Sequence, residues 1–335
     1  MKVAVFSSKP YDKASLRRYE VAELAMQYFE VPLNVATAHY AQGFDAVSAF
    51  VNDELNEATI EILANGGCKL IALRCAGFNN VDLKAAESLG VKIVRVPAYS
   101  PYAVAEHTIG LMLALSRKLY KSYNRVREGN FSLNGLLGFD FYGKTVGIIG
   151  AGKIGLLVAE RLKAFGCHVL VYDPYLCKTC KEQGFEQVPL DQLYEESHIV
   201  SLHCPLTKDT HRMINQASIE KMRNGVMLIN TGRGALIETQ ALIQALKSKK
   251  IGYVGLDVYE EEGPLFFEDH SNDIILDDNF ERLMTFPNVL VTGHQAYFTE
   301  EALDHIAQTT IENLLAFKQH APLSNEVSLA NSQFH

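Results

Sequence analysis

The sequence predicts an α/β protein built from two doubly wound parallel sheets, one of them assembled from stretches far apart in the chain. Three observations carry that expectation. Short apolar runs of strand length alternate with amphipathic stretches at helical spacing over most of the 335 residues, an order that gives parallel sheets covered on both faces. Midway, a glycine turn beginning at Gly150 joins an apolar run to a helical pattern. Near the end, residues 300–318 place Leu303, Ile306, Ala307, Ile311 and Leu314 at helical spacing over a length too great for another strand-to-strand crossover.

In the first hundred residues, strands are expected at 3–6, 46–51, 70–73 and 92–96, with helices at 16–29, 57–64 and 83–89 between them. The loop from Arg74 to Asp82 is a candidate ligand loop, with Arg74 a candidate substrate contact, because open α/β sheets bind ligands beyond the carboxyl ends of their strands. Pro97 and Pro101 bracket a turn, after which residues 104–126 read as one long helix linking the domains. Glycines 129, 135, 138 and 143 then loosen the chain before a strand at 146–149. Further strands follow at 168–172, 199–203, 226–230, 253–258 and 289–292, with helices such as 239–247 between. The final helix is expected to return to the first sheet. The result is a discontinuous, flavodoxin-like substrate domain of residues 1–100 and 298–335, with a nucleotide domain of 101–297 inserted.

Composition is consistent with this plan. A hydrophobic content of 48% supplies two cores, and a net charge of −8 argues against a general nucleic-acid or acidic-membrane surface. An anionic substrate would need local arginines to attract it. The longest apolar stretch, 109–115, is far short of a bilayer, and the opening residues suit a first strand better than a signal peptide. A cytoplasmic protein with free thiols is therefore expected from its six cysteines. Cys177 and Cys180 have a spacing that zinc or a redox pair can use, but no second pair completes a metal site, so they read as two surface thiols and no metal is expected.

The glycine turn is the most informative stretch. Gly150 permits the sharp exit from a strand, Gly152 lets the backbone approach a pyrophosphate, and Gly155 lets the following helix lie close to the sheet. The helix N-terminus then offers unpaired N–H groups to phosphates. Asp173 ends the next strand, where a carboxylate can accept from both ribose hydroxyls and would repel a 2′-phosphate. No arginine follows in Asp173-Pro-Tyr-Leu, so this Rossmann-like unit is expected to take NAD rather than NADP.

Three polar residues stand just beyond separate strand ends. Arg233 follows the 226–230 strand, one of Glu260, Glu261 and Glu262 follows the 253–258 strand, and His294 follows the 289–292 strand. Such ends converge on one crevice, so these residues can meet beside a nicotinamide. Their types suit reduction of a 2-keto acid. An arginine fork pairs with a carboxylate, a histidine gives its proton to the carbonyl oxygen, and a neighbouring carboxylate favours the charged imidazole.

The motifs that carry these residues, Gly150-Ala-Gly-Lys-Ile-Gly155 with Asp173, Asn230-Thr-Gly-Arg-Gly-Ala235, Gly255-Leu-Asp-Val-Tyr-Glu260-Glu-Glu262 and Gly293-His-Gln-Ala296, resemble the D-2-hydroxyacid dehydrogenase family. The stretches 74–82, 95–99, 105–107 and 266–269 resemble its bacterial fermentative D-lactate dehydrogenases in particular, and the likeness runs over essentially the whole chain. The resemblance implies that the catalytic acid is Glu262, five positions after Asp257, that Arg233 binds the substrate carboxylate and that His294 is the acid/base. It further implies that main-chain N–H groups around Ala76 and Gly77 complete the carboxylate site, with Tyr99 and Tyr297 crowding the substrate methyl. Cofactor contacts would fall on Lys153, Ile154, Asp173, Cys204, Pro205, Thr210, Thr231, Gly232 and Asp257. Pyruvate and D-lactate would be the substrate pair and a homo-oligomer the assembly, with the long helix after Pro101 a contact surface. The sequence departs from the family pattern at Thr231-Gly232, where the second place commonly holds serine or alanine, and in the acidic neighbourhood of Glu261 and Glu262. Two other readings compete: a dehydrogenase for larger 2-keto acids, and a dinucleotide-sensing, corepressor-like binding protein.

Overall fold

The computed structural model describes residues 1–175, 177–263 and 265–332, so the last three positions of the 298–335 segment lie outside the described residues. The chain divides into two compact units, Met1–Ser100 with Phe298–His335, and Pro101–Tyr297. In chain order the first unit opens with β1 (Lys2–Val5), α1 (Pro10–Arg17), β2 (Ala25–Tyr28), β3 (Ala46–Ala49), α2 (Glu57–Asn65), β4 (Leu70–Leu73), α3 (Leu83–Ser88) and β5 (Lys92–Val94). The second contains α4 (Pro101–Ser116), α5 (Leu119–Arg127), β6 (Thr145–Ile149), α6 (Lys153–Ala164), β7 (His168–Tyr172), α7 (Lys178–Glu182) and β8 (Glu186–Gln187). It continues through α8 (Leu190–Glu196), β9 (Ile199–Leu202), α9 (Gln216–Lys221), β10 (Val226–Asn230), α10 (Thr239–Lys247), β11 (Ile251–Leu256), α11 (Asp278–Met284) and β12 (Val289–Val291). The chain then re-enters the first unit as α12 (Glu300–Lys318), β13 (Glu326–Val327) and α13 (Leu329–Ser332).

The first sheet runs β13-β5-β4-β3-β1-β2, parallel except for β13, which pairs antiparallel with β5. Its inner strands β1, β3 and β4 are buried on both faces, which is why they read as continuous apolar runs rather than alternating ones. One face, with Val47, Ile71 and Leu73, packs under α2 and α3, which bring Leu63 and Ala86. The other, with Val3, Val5, Leu70 and Val94, is covered by Ala307, Ile311 and Leu314 of α12. The helix read from the end of the sequence therefore does return to the N-terminal sheet.

The second sheet is wholly parallel, in the order β12-β11-β10-β9-β6-β7-β8. From β6 the chain winds outward through β7 and β8, then crosses to β9 and winds the other way. The switch between β6 and β9 opens a crevice at their carboxyl ends, the usual ligand position in such sheets. Its two faces are covered by two clusters, one around Ile148, Val158 and Ile229 and one around Val200, Leu228 and Leu242.

Three expectations need correction. Residues 16–29 are not one helix: α1 stops at Arg17 and Ala25–Tyr28 is an edge strand against β1. Met26 and Tyr28 face the core while Ala25 and Gln27 do so less, a two-residue period hidden among helix-compatible residues. The long helix of 104–126 breaks after Ser116, where Lys118 adopts a left-handed φ of +51°. α4 is buried along much of its length and α5 buries nothing, so the break lets the polar helix turn out of the core. Finally, Cys177 and Cys180 are not free surface thiols but a disulfide across the first turn of α7, with Cα atoms 5.2 Å apart and Cys180 buried. The other four cysteines form no disulfide among the described residues.

Candidate active site

The site starts at the glycine turn. β6 runs into Gly150, whose φ of +102° and main-chain crowding by Cys204, 2.6 Å from where a Cβ would stand, admit only glycine. A Cβ on Gly155 would lie 2.0 Å from the Gly150 carbonyl oxygen, so α6 owes its close seat on the strand to that missing atom. Gly152, by contrast, opens onto free space and caps α6 without a side chain, leaving first-turn N–H groups for an anion. Asp173 sits beside this turn: Oδ2 accepts from Ala151 N at 2.8 Å and Oδ1 from Tyr175 N at 3.0 Å, and each oxygen keeps a lone pair for a ribose hydroxyl. On the β9 side, His203 and Cys204 keep some solvent contact, yet the protein atoms packed around them push the thiol up to about 11 and the imidazole down to about 4. Both are uncharged at neutral pH. Open backbone space, free helix N–H groups and an acid at the neighbouring strand end together fit a dinucleotide.

Arg233, Glu262 and His294 leave from β10, β11 and β12, three neighbours in the sheet. The turn carrying Arg233 is locked by Asn230, fully buried at the end of β10. Its Nδ2 donates to Arg233 O at 2.8 Å and its Oδ1 accepts from Gly232 N at 3.0 Å. Gly234 then lies flat on the end of β11, where a Cβ would come within 2.0 Å of the Tyr259 carbonyl. Among the described residues the Arg233 guanidinium donates only to Gly232 O, at 2.8 Å, which leaves most of its fork open.

Glu262 and His294 form a pair. His294 Nδ1 stands 2.8 Å from Glu262 Oε1, while Glu262 Oε2 accepts from Tyr259 N at 2.9 Å. The carboxylate has no proton to give, so Nδ1 carries the hydrogen and Nε2 is the nitrogen left for another partner. His294 itself has a left-handed φ of +52° and its ring packs against Phe267, centroids 5.6 Å apart.

Other candidate residues are placed differently. Asp257, read as a cofactor contact, is fully buried: its carboxylate accepts from Thr292 Oγ1, Gln295 N and Ala296 N, which makes it the organiser of the turn around His294. Thr210 spends its hydroxyl on Pro205 O at 2.7 Å, within its own turn. Thr231 is buried with its hydroxyl on Thr108, and Lys153 and Ile154 open α6. Tyr297 is buried at the end of the second unit.

Arg74, Ala76, Gly77 and Tyr99 belong to the first unit. Arg74 is corrected as a substrate ligand: only 1% exposed, it donates to Phe6 O and Ser48 O and faces Asp12 at 3.7 Å, so its guanidinium is turned into the core. Ala76 and Gly77 fit the role read for them better, since the Ala76 carbonyl is taken by Arg95 and neither N–H donates to protein among the described residues. Sequence reasoning passed over Asn230 and the shaping role of Asp257. Each is a polar residue closing an apolar strand, a signal available in the sequence but shared with ordinary turns.

Residues 109–296 match the model of the D-isomer specific 2-hydroxyacid dehydrogenase, NAD binding domain. The chain is 52% identical over 328 residues to a D-lactate dehydrogenase of Escherichia coli, covering 98% of this chain and all of that one. Its fold matches the pyruvate reductase of Chlamydomonas reinhardtii with a TM-score of 0.91 at 45% identity, over 97% of this chain and 98% of that one. It also matches a D-lactate dehydrogenase from Aquifex aeolicus, solved with NAD and lactic acid, with a TM-score of 0.85 at 34% identity, over 95% and 96% of the two chains. This protein therefore belongs to the D-isomer specific 2-hydroxyacid dehydrogenases, with its NAD-binding domain in the second unit.

Proposed function

We propose that the protein is an NAD-dependent D-lactate dehydrogenase that reduces pyruvate to D-lactate, and that Arg233, Glu262 and His294 carry the reaction. The observation that most supports this is the His294–Glu262 pair at 2.8 Å, carried by the loops after β12 and β11, next in the sheet to β10, which leads to an arginine whose fork is open. NADH, when bound, supplies the hydride. The Arg233 guanidinium takes the pyruvate carboxylate bidentately. His294, oriented through Nδ1, gives its Nε2 proton to the carbonyl oxygen as the alcohol forms and takes it back in reverse. Glu262 stabilises the imidazolium. Of the cofactor residues, Gly150, Gly152, Gly155 and the α6 N-terminus at Lys153 and Ile154 would hold the diphosphate, and Asp173 the ribose. Main-chain groups at Cys204, Pro205, Thr231 and Gly232 would line the remaining wall.

The test is a pair of variants, Arg233→Ala and His294→Ala, assayed for NADH-dependent pyruvate reduction and for NADH binding. Turnover is expected to fall by about 10³-fold or more while NADH binding stays near that of the wild type. Loss of NADH binding in both, or retained turnover in either, would contradict the assigned roles. Comparing pyruvate with phenylpyruvate and a branched six-carbon keto acid sets the chain length: a preference for the larger acids would make this a dehydrogenase of another substrate class.

A further inference from the structure

α4 contributes no residue to the chemistry above, yet two adjacent side chains on it reach the two loops that matter. Thr108 donates its hydroxyl hydrogen to Val104 O at 2.7 Å, so it accepts from Thr231 Oγ1 at 2.8 Å, on the turn leading to Arg233. His107 Nε2 lies 3.0 Å from Thr292 Oγ1 and 3.4 Å from Asp257 Oδ1. The Thr292 hydroxyl has one hydrogen and gives it to Asp257 Oδ1 at 2.5 Å. Its oxygen is therefore an acceptor toward His107, and the ring must hold a hydrogen on Nε2.

What this chain of bonds supports is an unfavourable backbone. The Asp257 carboxylate gathers Thr292, Gln295 N and Ala296 N, and its main-chain oxygen accepts from His294 N at 2.7 Å. Between those contacts His294 sits at φ +52°, a region that costs a side-chain-bearing residue energy unless its surroundings hold it there. Among the described residues, His107 is the one side chain outside the strand-end loops that bonds to Thr292 or the Asp257 carboxylate.

We propose that His107 is a positioning residue for the reaction: through its Nε2–H it fixes Thr292 and Asp257, and so the left-handed turn that presents His294. The proposal rests on His294 being the proton donor. A misplaced acid costs turnover more than it costs binding, because the proton must be delivered along a narrow approach. A glutamine at 107 can put its side-chain N–H where Nε2–H stands, and an alanine cannot.

The experiment uses the full-length enzyme with NADH and pyruvate. His107→Ala is expected to lower kcat by about ten-fold with the NADH Kd within about two-fold of wild type, and His107→Gln to recover most of the lost kcat. An alanine variant with kcat within about two-fold of wild type, or a glutamine variant no better than alanine, would overturn the proposal. Should His107→Ala fail to fold, Thr292→Val removes the same link from the other side, and an unchanged kcat there would overturn it equally. Failure of the underlying reading looks different: wild type would not reduce pyruvate, or His294→Ala would still turn over.

Discussion

Asn230 shows how one buried amide sets the geometry of a charged group it never touches. Both ends of its side chain are satisfied by the turn that carries Arg233, so Asn230→Ala leaves a buried N–H and a buried carbonyl unpaired, at a cost of about 1–3 kcal/mol. We expect a Tm lower by several degrees and kcat/KM for pyruvate reduced by about ten-fold or more, read by thermal unfolding and steady-state kinetics. Gly234→Ala attacks the same turn by volume. Its Cβ would collide with the Tyr259 carbonyl, and since that contact is backbone on backbone nothing flexible can yield. Pyruvate turnover should fall at least as far, with NADH binding largely kept. His203 gives a pH signature. Its ring is held down to about 4 from 6.5, so the unfolded chain binds more protons between those values. Stability is thus complete above about pH 6.5 and is lost as pH falls toward 4, and the Tm of wild type should drop through that window more steeply than that of His203→Gln. Parallel curves would remove His203 from the acid response.

At the scale of elements, the patterns that sequence conveys well are those enforced by burial on both faces. β1, β3, β4, β6, β9 and β10 read as nearly continuous apolar runs because both sides of a parallel strand are covered, and the polar exceptions Ser48, Ser201 and Asn230 are buried with hydrogen-bond partners. β2 sits at an edge, half exposed, and its alternation was masked by a neighbouring helical pattern. β8 and β13, two residues each, are too short to have a period at all. The break between α4 and α5 is a backbone event at Lys118, a residue type that gives no warning of a left-handed φ. In the site, Arg233, His294 and the glycines were legible because each follows directly on a strand. Which of three glutamates pairs with His294 was not, because a loop and not a strand carries Glu262. The ends of α12 offer a test that leaves the site alone. Thr299 caps this 19-residue helix by accepting from Ala302 N, so Thr299→Ala should cost about 1 kcal/mol, a shift of a few degrees in Tm, without changing kcat. A change in kcat at equal cofactor affinity would show that this helix does more than cover its sheet.

For the whole molecule, cofactor choice and assembly follow from surfaces rather than from single contacts. Asp173 beside the glycine turn favours a free ribose, so NADH at about 100 times its Kd should stabilise the fold by about 2.7 kcal/mol, and NADPH at the same concentration far less. Equal stabilisation by both would contradict the role given to Asp173. Leu133 and Leu137 are 81% and 86% exposed, and Leu119, Tyr123 and Phe131 of the same segment are exposed as well, side chains that a contact between copies of the chain would cover. Light scattering tests the homo-oligomer that the family resemblance implies: Leu133→Lys with Leu137→Lys should lower the mass toward the 37.2 kDa of one chain, and a wild type already at that mass would contradict it. Everything else depends on whether the guanidinium, imidazole and carboxylate of the second unit direct hydride onto one face of a short keto acid. The most direct measurement is NADH oxidation in the presence of pyruvate with the handedness of the lactate determined. The account predicts steady NADH consumption and a product that is the D-isomer; L-lactate, a racemate, or no turnover of pyruvate would contradict it.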